Sequence, residues 1–461
     1  MPRRRAHIWL TTFWGMAVFI LAGCGTQKEI DAPVEIPEAF SASGSEVVPD
    51  KWWTTFEDEQ LNAAIDTAMQ SNFDLLTAWE RLRAAKAVVD RESSSLFPSL
   101  EASGTGELNR FSDSSQDSEQ IQLGLSSVYE IDLWGRIQSS VDAERYRAQA
   151  TLLDYQTVAL SLAAEITRTW YQLADGQNQL QLIEEQIETN ATVLELIQNR
   201  FEIGQIQSVD VLRQQQLLEA SREQKTYAEA RVQLLEHQLA VLLGETPQHG
   251  TEYRPVDLPE LAPLPEAGVP TDLVRRRPDV QSAYSALLAA DRDLASAISN
   301  QFPRLTISAS ATTSADNAGS LFEDWALSFA GNLLAPIFYG GELRAEVNRN
   351  EAVKQQRLYE YGQTILTSFR EVEDALVQEK NQVQSIQSIE RQVELATKAY
   401  EQLRVQYLNG GGNYLDVLTA LDGIQQLRRD LLSARLTLVE YRIALYRALA
   451  GSFETEMMAR E

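Results

Sequence analysis

Leu152, Ala159, Ile166, Leu173, Leu180, Ile187, Leu194 and Phe201 stand seven residues apart without a break. Residues 136 to 200, at about 1.5 Å each, would run on the order of 100 Å as one helix, longer than any compact domain holds. A strict seven-residue apolar period keeps one stripe on one side of a supercoiling helix, so this rod is built to pack lengthwise against others. The pattern returns as Leu358, Ile365, Val372, Glu379, Ile386, Val393, Tyr400 and Tyr407, with Glu379 the one charged member. The recurrence extends beyond the rod. Phe97-Pro98-Ser99-Leu100 returns 205 residues later as Phe302-Pro303-Arg304-Leu305. Arg200-Phe201-Glu202-Ile203-Gly204, followed by Asp210-Val211-Leu212, returns 206 residues later as Gln406-Tyr407-Leu408-Asn409-Gly410, followed by Asp416-Val417-Leu418. One structural unit is therefore written twice.

Each copy places a pair of strands before its rod. Ile121, Leu123, Leu125, Tyr129, Ile131 and Leu133 alternate with Gln122, Gly124, Ser126, Glu130 and Asp132, the period of a strand with one apolar and one polar face. Leu100 to Arg110 is its smaller-residue partner, across a Ser/Asp-rich loop at 111–119. In the second copy Leu305, Ile307, Ala309 and Ala311 alternate with Thr306, Ser308 and Ser310, and Trp325, Leu327, Phe329 and Leu333 mark a fourth strand. Upstream, residues 52–96 carry a helical period. Each rod ends at a glycine, Gly204 or Gly410, after which a second helix returns. The return helices carry Val211, Leu218, Lys225, Val232 and Leu239, and Val417, Ile424, Leu431, Leu438 and Leu445.

The expected domains follow. Residues 51–245 form the first repeat, with its strand pair at 98–134 and its hairpin at 135–245. Residues 246–270 are a Pro-rich linker that must run outside the helices. Residues 271–451 form the second repeat, with strands at 303–339 and a hairpin at 341–451, and 452–461 read as a disordered tail.

The N-terminus reads as an export signal, with Arg3, Arg4 and Arg5 before an apolar run from Ile8 to Leu21. Leu21-Ala22-Gly23-Cys24 resembles a bacterial lipobox, which implies cleavage after residue 23, covalent diacylglycerol and N-acyl lipid on Cys24, and an extended tether at 24–50. Gly25 stands where an Asp would suggest inner-membrane retention, which favours the outer membrane. Cys24 is the only cysteine, so no internal disulfide framework exists. A formal charge of −26 argues against nucleic acid as a partner, because phosphate binding needs a basic face. Of three histidines, His237 and His249 remain after His7 leaves with the signal, and neither has ligand-spaced neighbours. No phosphate loop, nucleophile elbow or metal motif is present, so the residues point to no enzyme and no cofactor.

Four amphipathic strands cannot close on themselves, and open sheet edges are not tolerated in a bilayer. Three copies would supply twelve strands, inside the range of outer-membrane barrels. Phe111, Tyr129, Trp134, Phe322, Trp325 and Phe338 are then candidates for the interfacial aromatic girdles. The competing reading is a periplasmic sandwich packed on helices. At this point the chain resembles the TolC-like outer-membrane factor family, in its lipoprotein branch of tripartite (NodT-type) efflux systems. The likeness rests on the doubled Phe-Pro-x-Leu, on Tyr129-Glu130-Ile131-Asp132-Leu133-Trp134-Gly135-Arg136, on Arg276-Arg277-Pro278-Asp279-Val280, on Ala335-Pro336-Ile337-Phe338-Tyr339-Gly340-Gly341, and on the two Gly-to-Asp-Val-Leu turns. It covers nearly all of the chain beyond the signal.

The resemblance implies a mainly α fold with a β-barrel contribution. A homotrimeric twelve-stranded outer-membrane barrel would continue into a long α-helical periplasmic barrel. The protein would be a passive exit duct, joined at its hairpin tips to a periplasmic adaptor and through it to an inner-membrane transporter. Gly204 and Gly410 would mark the adaptor-docking turns. Leu415, Asp416, Asp422 and Asp210 are the candidates for a periplasmic gate, since a constriction is built from apolar or charged rings. Related channels carry an acid one turn after the gate leucine. Here Thr419 holds that place, with Asp422 a turn beyond. Asp210 and Asp416 also open return helices, where a carboxylate caps free N–H groups, so both readings stand. Arg275 to Arg277 read as a structural junction, and the triple glycine Gly410-Gly411-Gly412 marks the second hairpin as the one that moves. Protein secretion through the same kind of channel, and a purely structural coiled-coil lipoprotein, are the alternatives.

Overall fold

The computed structural model describes residues 30–45, 47–110, 118–249, 255 and 257–459. Residues 1–35 form one unit, of which 30–35 are described and make neither helix nor strand. The signal segment and Cys24 lie outside the described residues. Everything below concerns the second unit, residues 36–461.

In chain order it holds a 3-10 turn at Trp52–Phe56, α1 (Glu59–Ser71), α2 (Phe73–Ser93), β1 (Ser99–Asn109), β2 (Ser118–Ile131), α3 (Arg136–Glu202) and α4 (Ser208–Leu242). Then come α5 (Pro270–Arg276), α6 (Pro278–Ser299), β3 (Arg304–Ala315), β4 (Ala326–Leu334), α7 (Glu342–Leu408), α8 (Tyr414–Leu449) and α9 (Glu456–Ala459). The doubling is literal. Helices α3 and α7 are each 67 residues, about 100 Å long, and neither contains a proline. Each follows a left-handed glycine, Gly135 or Gly341, that turns the chain out of a strand.

The shorter helices extend the two return helices end to end. Helix α2 starts where α4 stops, and α6 starts where α8 stops. Asn72 caps α2 with its side-chain oxygen and donates its amide to Leu242 O at 2.9 Å. Its counterpart 205 residues on, Arg277, reaches Ala448 O at the end of α8. Arg277 is buried and held by Asp279 at 2.6 Å and Glu371 at 2.8 Å, so this arginine splices helices.

The four strands form one antiparallel sheet in the order β1-β2-β3-β4. Strand β4 ends at Leu334, short of the expected 339, because Pro336 lacks the N–H that would continue the ladder. Strand β2 ends at Ile131, and Leu133 and Trp134 lie in the turn into α3.

The core sits beside the helix splices. Trp52 stacks on Tyr446, Phe56 packs on Tyr171, and Trp53 meets Phe453 edge-on at 5.0 Å. Phe453 and Thr455 are buried, and Thr455 Oγ1 lies 2.8 Å from the Tyr155 hydroxyl. The expected disordered tail is therefore ordered over its described residues, because an aromatic at 453 completes this core. The tether is likewise docked over part of its length. Phe40 packs on Phe369, Ser41 N donates to Glu373 Oε1 at 2.9 Å, and Gly44 N donates to the linker carbonyl of Pro265 at 2.9 Å.

The seven-residue period holds, but in the second half of α3 its phase is corrected. Up to Leu173 the expected stripe is buried at Ala159, Ile166 and Leu173, beside Tyr155, Leu162 and Thr169; beyond it the buried positions are Gly176, Ile183, Asn190 and Ile197, three residues off the stripe read from the sequence. Of that stripe, Leu180, Ile187 and Leu194 are half-buried and Phe201 is exposed in the single chain. In α7 the expected series is the buried one over Ile365, Val372 and Glu379. Glu379 keeps its place because Arg442 of α8 donates Nε to Glu379 Oε2 at 2.9 Å and Nη2 to Oε1. Arg442 also reaches the linker carbonyl of Ala262 at 2.7 Å. Lys225, the other break in the pattern, is half-exposed and paired with Glu184 of α3 at 2.8 Å.

Candidate functional site: the sheet faces and the hairpin tips

Directly opposed residues of a sheet point to the same face. The register sets Ala102 against Leu125, Leu125 against Ala311, and Ala311 against Leu327. It also sets Gly104 against Leu123, Tyr129 against Ile307, Ala309 against Phe329, and Leu305 against Leu333. All four strands thus share one apolar face, and Leu125, Ile307, Leu327, Phe329 and Leu333 lie on it uncovered in the single chain. The other face carries Glu101, Ser103, Thr105 and Glu107 of β1, Gln122, Ser126 and Glu130 of β2, and Thr306, Ser308, Ser310 and Thr312 of β3. Glu130 is neutralised by a two-pronged pair with Arg136 at 2.9 and 3.1 Å. Glu101 and Glu107 leave that face acidic.

Aromatic residues mark both ends of the apolar face. At the helical end Trp134 donates its indole N–H to Pro303 O at 2.8 Å and packs on Phe302, with exposed Phe338 nearby in sequence to the end of β4. At the other end Phe322 packs on Trp325, and both are exposed. Phe111, the remaining candidate, lies outside the described residues.

At the far ends of the rods the two turns are copies. Gly204 N donates to Phe201 O and Gln205 N to Arg200 O; Gly410 N donates to Tyr407 O and Gly411 N to Gln406 O. Gly204 and Gly410 have φ of 75° and 80°, the left-handed conformation that closes such a turn and that other residues resist. Neither Asp210 nor Asp416 is a cap, which corrects that expectation. Asn413 caps α8 by accepting from Leu415 N at 3.1 Å, and Gln207 at the head of α4 makes no side-chain cap. Both carboxylates sit in the first turn, where the helix dipole still favours them.

The gate candidates do not gather at one point. Leu415, Thr419 and Asp422 share one exposed stripe of α8, and Asp416 is exposed beside it. Asp210 instead turns inward, half-buried, toward Arg213 at 3.7 Å. Its charge acts on Tyr407 and Tyr414, whose hydroxyls burial already pushes well above the ordinary phenol value. These tyrosines belong to an apolar cluster of Ile197, Tyr414 and Val417 that ties the two tips together, and Arg200 lies over the Tyr407 ring at 5.0 Å.

Behind that cluster runs a buried polar ladder that sequence reasoning missed. Asn190 of α3 and Gln425 of α8 exchange amide hydrogen bonds at 2.9 and 3.2 Å. Asn190 also donates to Ser221 Oγ, while Gln214 donates to Asn190 O at 2.8 Å and accepts from the Tyr414 hydroxyl at 2.6 Å. The only signal for it is position: each of these polar groups falls in a seam where an apolar residue is the default.

A family model described as "Outer membrane efflux protein" matches residues 64–245 and 269–451, one span for each repeat. The chain belongs to the outer membrane efflux protein family. Among its relatives, the pyoverdine export outer membrane protein OpmQ of Pseudomonas aeruginosa is 28% identical over 457 residues, covering 95% of this chain and 96% of that one. The toluene efflux pump outer membrane protein TtgI of Pseudomonas putida is 29% identical over 418 residues, 86% of each chain. The solved structure of the outer-membrane channel OprN superposes with a TM-score of 0.86 at 27% identity, over 93% of this chain and 99% of that one. As an outer membrane efflux protein the chain is a channel component of the outer membrane, a conduit and not an enzyme, and it needs no cofactor. No helix among the described residues is long and apolar enough to cross a membrane.

Proposed function

We propose that three copies of the chain close into one exit duct of a tripartite efflux pump, twelve strands in the outer membrane and the helical rods in the periplasm. The observation that carries this reading is the sheet: one mainly apolar face continuous across all four strands, one polar acidic face, and an unpaired outer edge on β1 and on β4. Strands of 11, 14, 12 and 9 residues suit a tilted span of the bilayer. With the apolar face toward lipid, the Phe322–Trp325 pair lies at the outer interface and Trp134 at the periplasmic one. The partly uncovered apolar stripe on the lower half of α3 supports lengthwise packing between copies.

In this reading the Gly204 and Gly410 turns dock a periplasmic adaptor, which links the duct to an inner-membrane transporter that supplies energy and selectivity. Leu415 and Asp422 ring the entrance, with Asp416 beside them. Asp210 acts within the tip cluster, and the glycine-rich second hairpin is the one that moves. Lipid on Cys24 anchors the chain, and the mass of the N-terminal peptide tests it: a mature chain starting elsewhere, or unmodified at Cys24, removes the anchor.

Purified protein in a planar bilayer is the test of the duct. Steady ion conductance is expected, rising when Leu415 and Asp422 are both replaced by Ala. An absence of conductance overturns the duct, and a double variant that conducts like the parent removes these two residues from the gate.

A further inference from the structure

Midway along α3, one carboxylate has no visible use. Asp175 is fully buried, and neither of its oxygens has a hydrogen-bond partner. The neighbouring Gln179 does not serve it, because its amide donates to Arg429 O at 3.0 Å and Ser433 Oγ at 3.2 Å. A buried, unpaired charge is costly, and such a group stays neutral where it can.

The surroundings make the cost mechanical. Asp175 precedes Gly176, where α4 side chains pack directly on α3. A Cβ added there would meet Val232 Cγ2 at 3.3 Å. The charged groups acting on Asp175 come from both return helices packed on α3: Arg231 of α4, which favours the anion, and Glu440 of α8, which opposes it. Glu440 is itself held by Gln172 of α3 at 2.6 Å. Farther up α3, Asp58 is engaged by Trp170 at 2.8 Å.

We propose that Asp175 is a proton-operated joint of the periplasmic rods: its neutral carboxyl seats α3 tightly against α4 and α8, and its ionised form loosens that seam. Ionisation calls for a counter-charge or water that the packed seam does not bring into contact with either carboxylate oxygen, so the seam opens toward the neighbouring cleft lined by Gly176, Gln179 and Arg231, on the exposed side of α4. The inference rests on contacts within one chain and holds whether or not copies assemble.

Burial pushes the Asp175 carboxyl up from the ordinary 3.8 to about 6, against the pull of the Arg231 charge. For an acid whose value is raised in the folded state, the packed form gains as pH falls through that value and loses as pH rises through it. Opening of the seam is therefore expected to be about tenfold more frequent near pH 7.5 than near pH 5.0.

Hydrogen–deuterium exchange on the whole chain in detergent reads this directly, after correction for the intrinsic pH dependence of exchange. Segments 172–180 and 228–236 should gain about tenfold protection between pH 7.5 and 5.0. Asp175→Asn should hold the protected level at both values. Equal protection of the parent at the two pH values overturns the proposal, a result that needs no variant to fold. An Asp175→Asn chain that keeps the tenfold change moves the effect to another group and equally overturns it.

Discussion

Glu379 occupies a position where its repeat partner is Leu173, and both are buried. The two sites differ in what faces them. Arg442 answers Glu379 and at the same time holds the Pro-rich linker through Ala262 O. The ion pair therefore does a job the leucine site lacks, fastening the linker that joins the repeats. Replacing Glu379 with Ala leaves the Arg442 guanidinium buried without its counter-charge, an expected loss of about 3–5 kcal/mol. Replacing both, Glu379→Leu with Arg442→Met, should recover most of it. Unfolding midpoints of the two variants decide the matter; a double variant as weak as the single one would show that the linker contact, not the unpaired charge, is what counts. None of this is legible from Glu379 alone, which in sequence is only a break in a heptad. The same holds for Asn190 and Gln425, whose amides satisfy each other across a seam. A buried polar residue announces itself only through a partner, and its partner is 235 residues away.

At the scale of elements, period and punctuation in the sequence specify most of the structure. Alternation located all four strands, because a half-buried strand must show its faces to different media. The doubled turns located both hairpin tips to the residue, because few residues accept the left-handed conformation of Gly204 and Gly410. What failed had physical causes as well. The expected phase holds through Ala159, Ile166 and Leu173 and slips only in the second half of α3, because Gly176 and Asn190 fill core positions there that an apolar count skips. The tail looked disordered because one aromatic, Phe453, is too little pattern to reveal docking. Asp210 and Asp416 read as caps in sequence because each is the third residue of its helix, three after the true cap position. The sheet faces make a direct prediction. Leu125→Arg, on the apolar face between Ala102 and Ala311, should cost about 2–4 kcal/mol and sharply lower the yield of membrane-assembled protein. Ser126→Arg, one residue on and facing the other way, should assemble normally. Equal yields of the two in the outer-membrane fraction would contradict the assignment of the faces.

For the whole molecule, the repeat explains why a chain of this length stops short of a closed structure. Two strand pairs and two hairpins leave unsatisfied parts that are all of one kind: the outer edges of β1 and β4, the bare apolar face, and the apolar stripe on the second half of α3. A single copy leaves these open, whereas the proposed assembly of three copies related by rotation would satisfy them together. The differences between the repeats, Glu379 against Leu173 and Lys225 against Leu431, then turn six similar sectors into three identical pairs. Most of that architecture was legible in the sequence because it is periodic. Which face of each rod is left for a neighbouring copy was not, since it depends on which positions one chain buries by itself. Native mass measurement of the detergent-solubilised protein tests closure most directly. The account predicts a complex of three chains and no stable single one; a well-folded particle with the mass of one chain would contradict it.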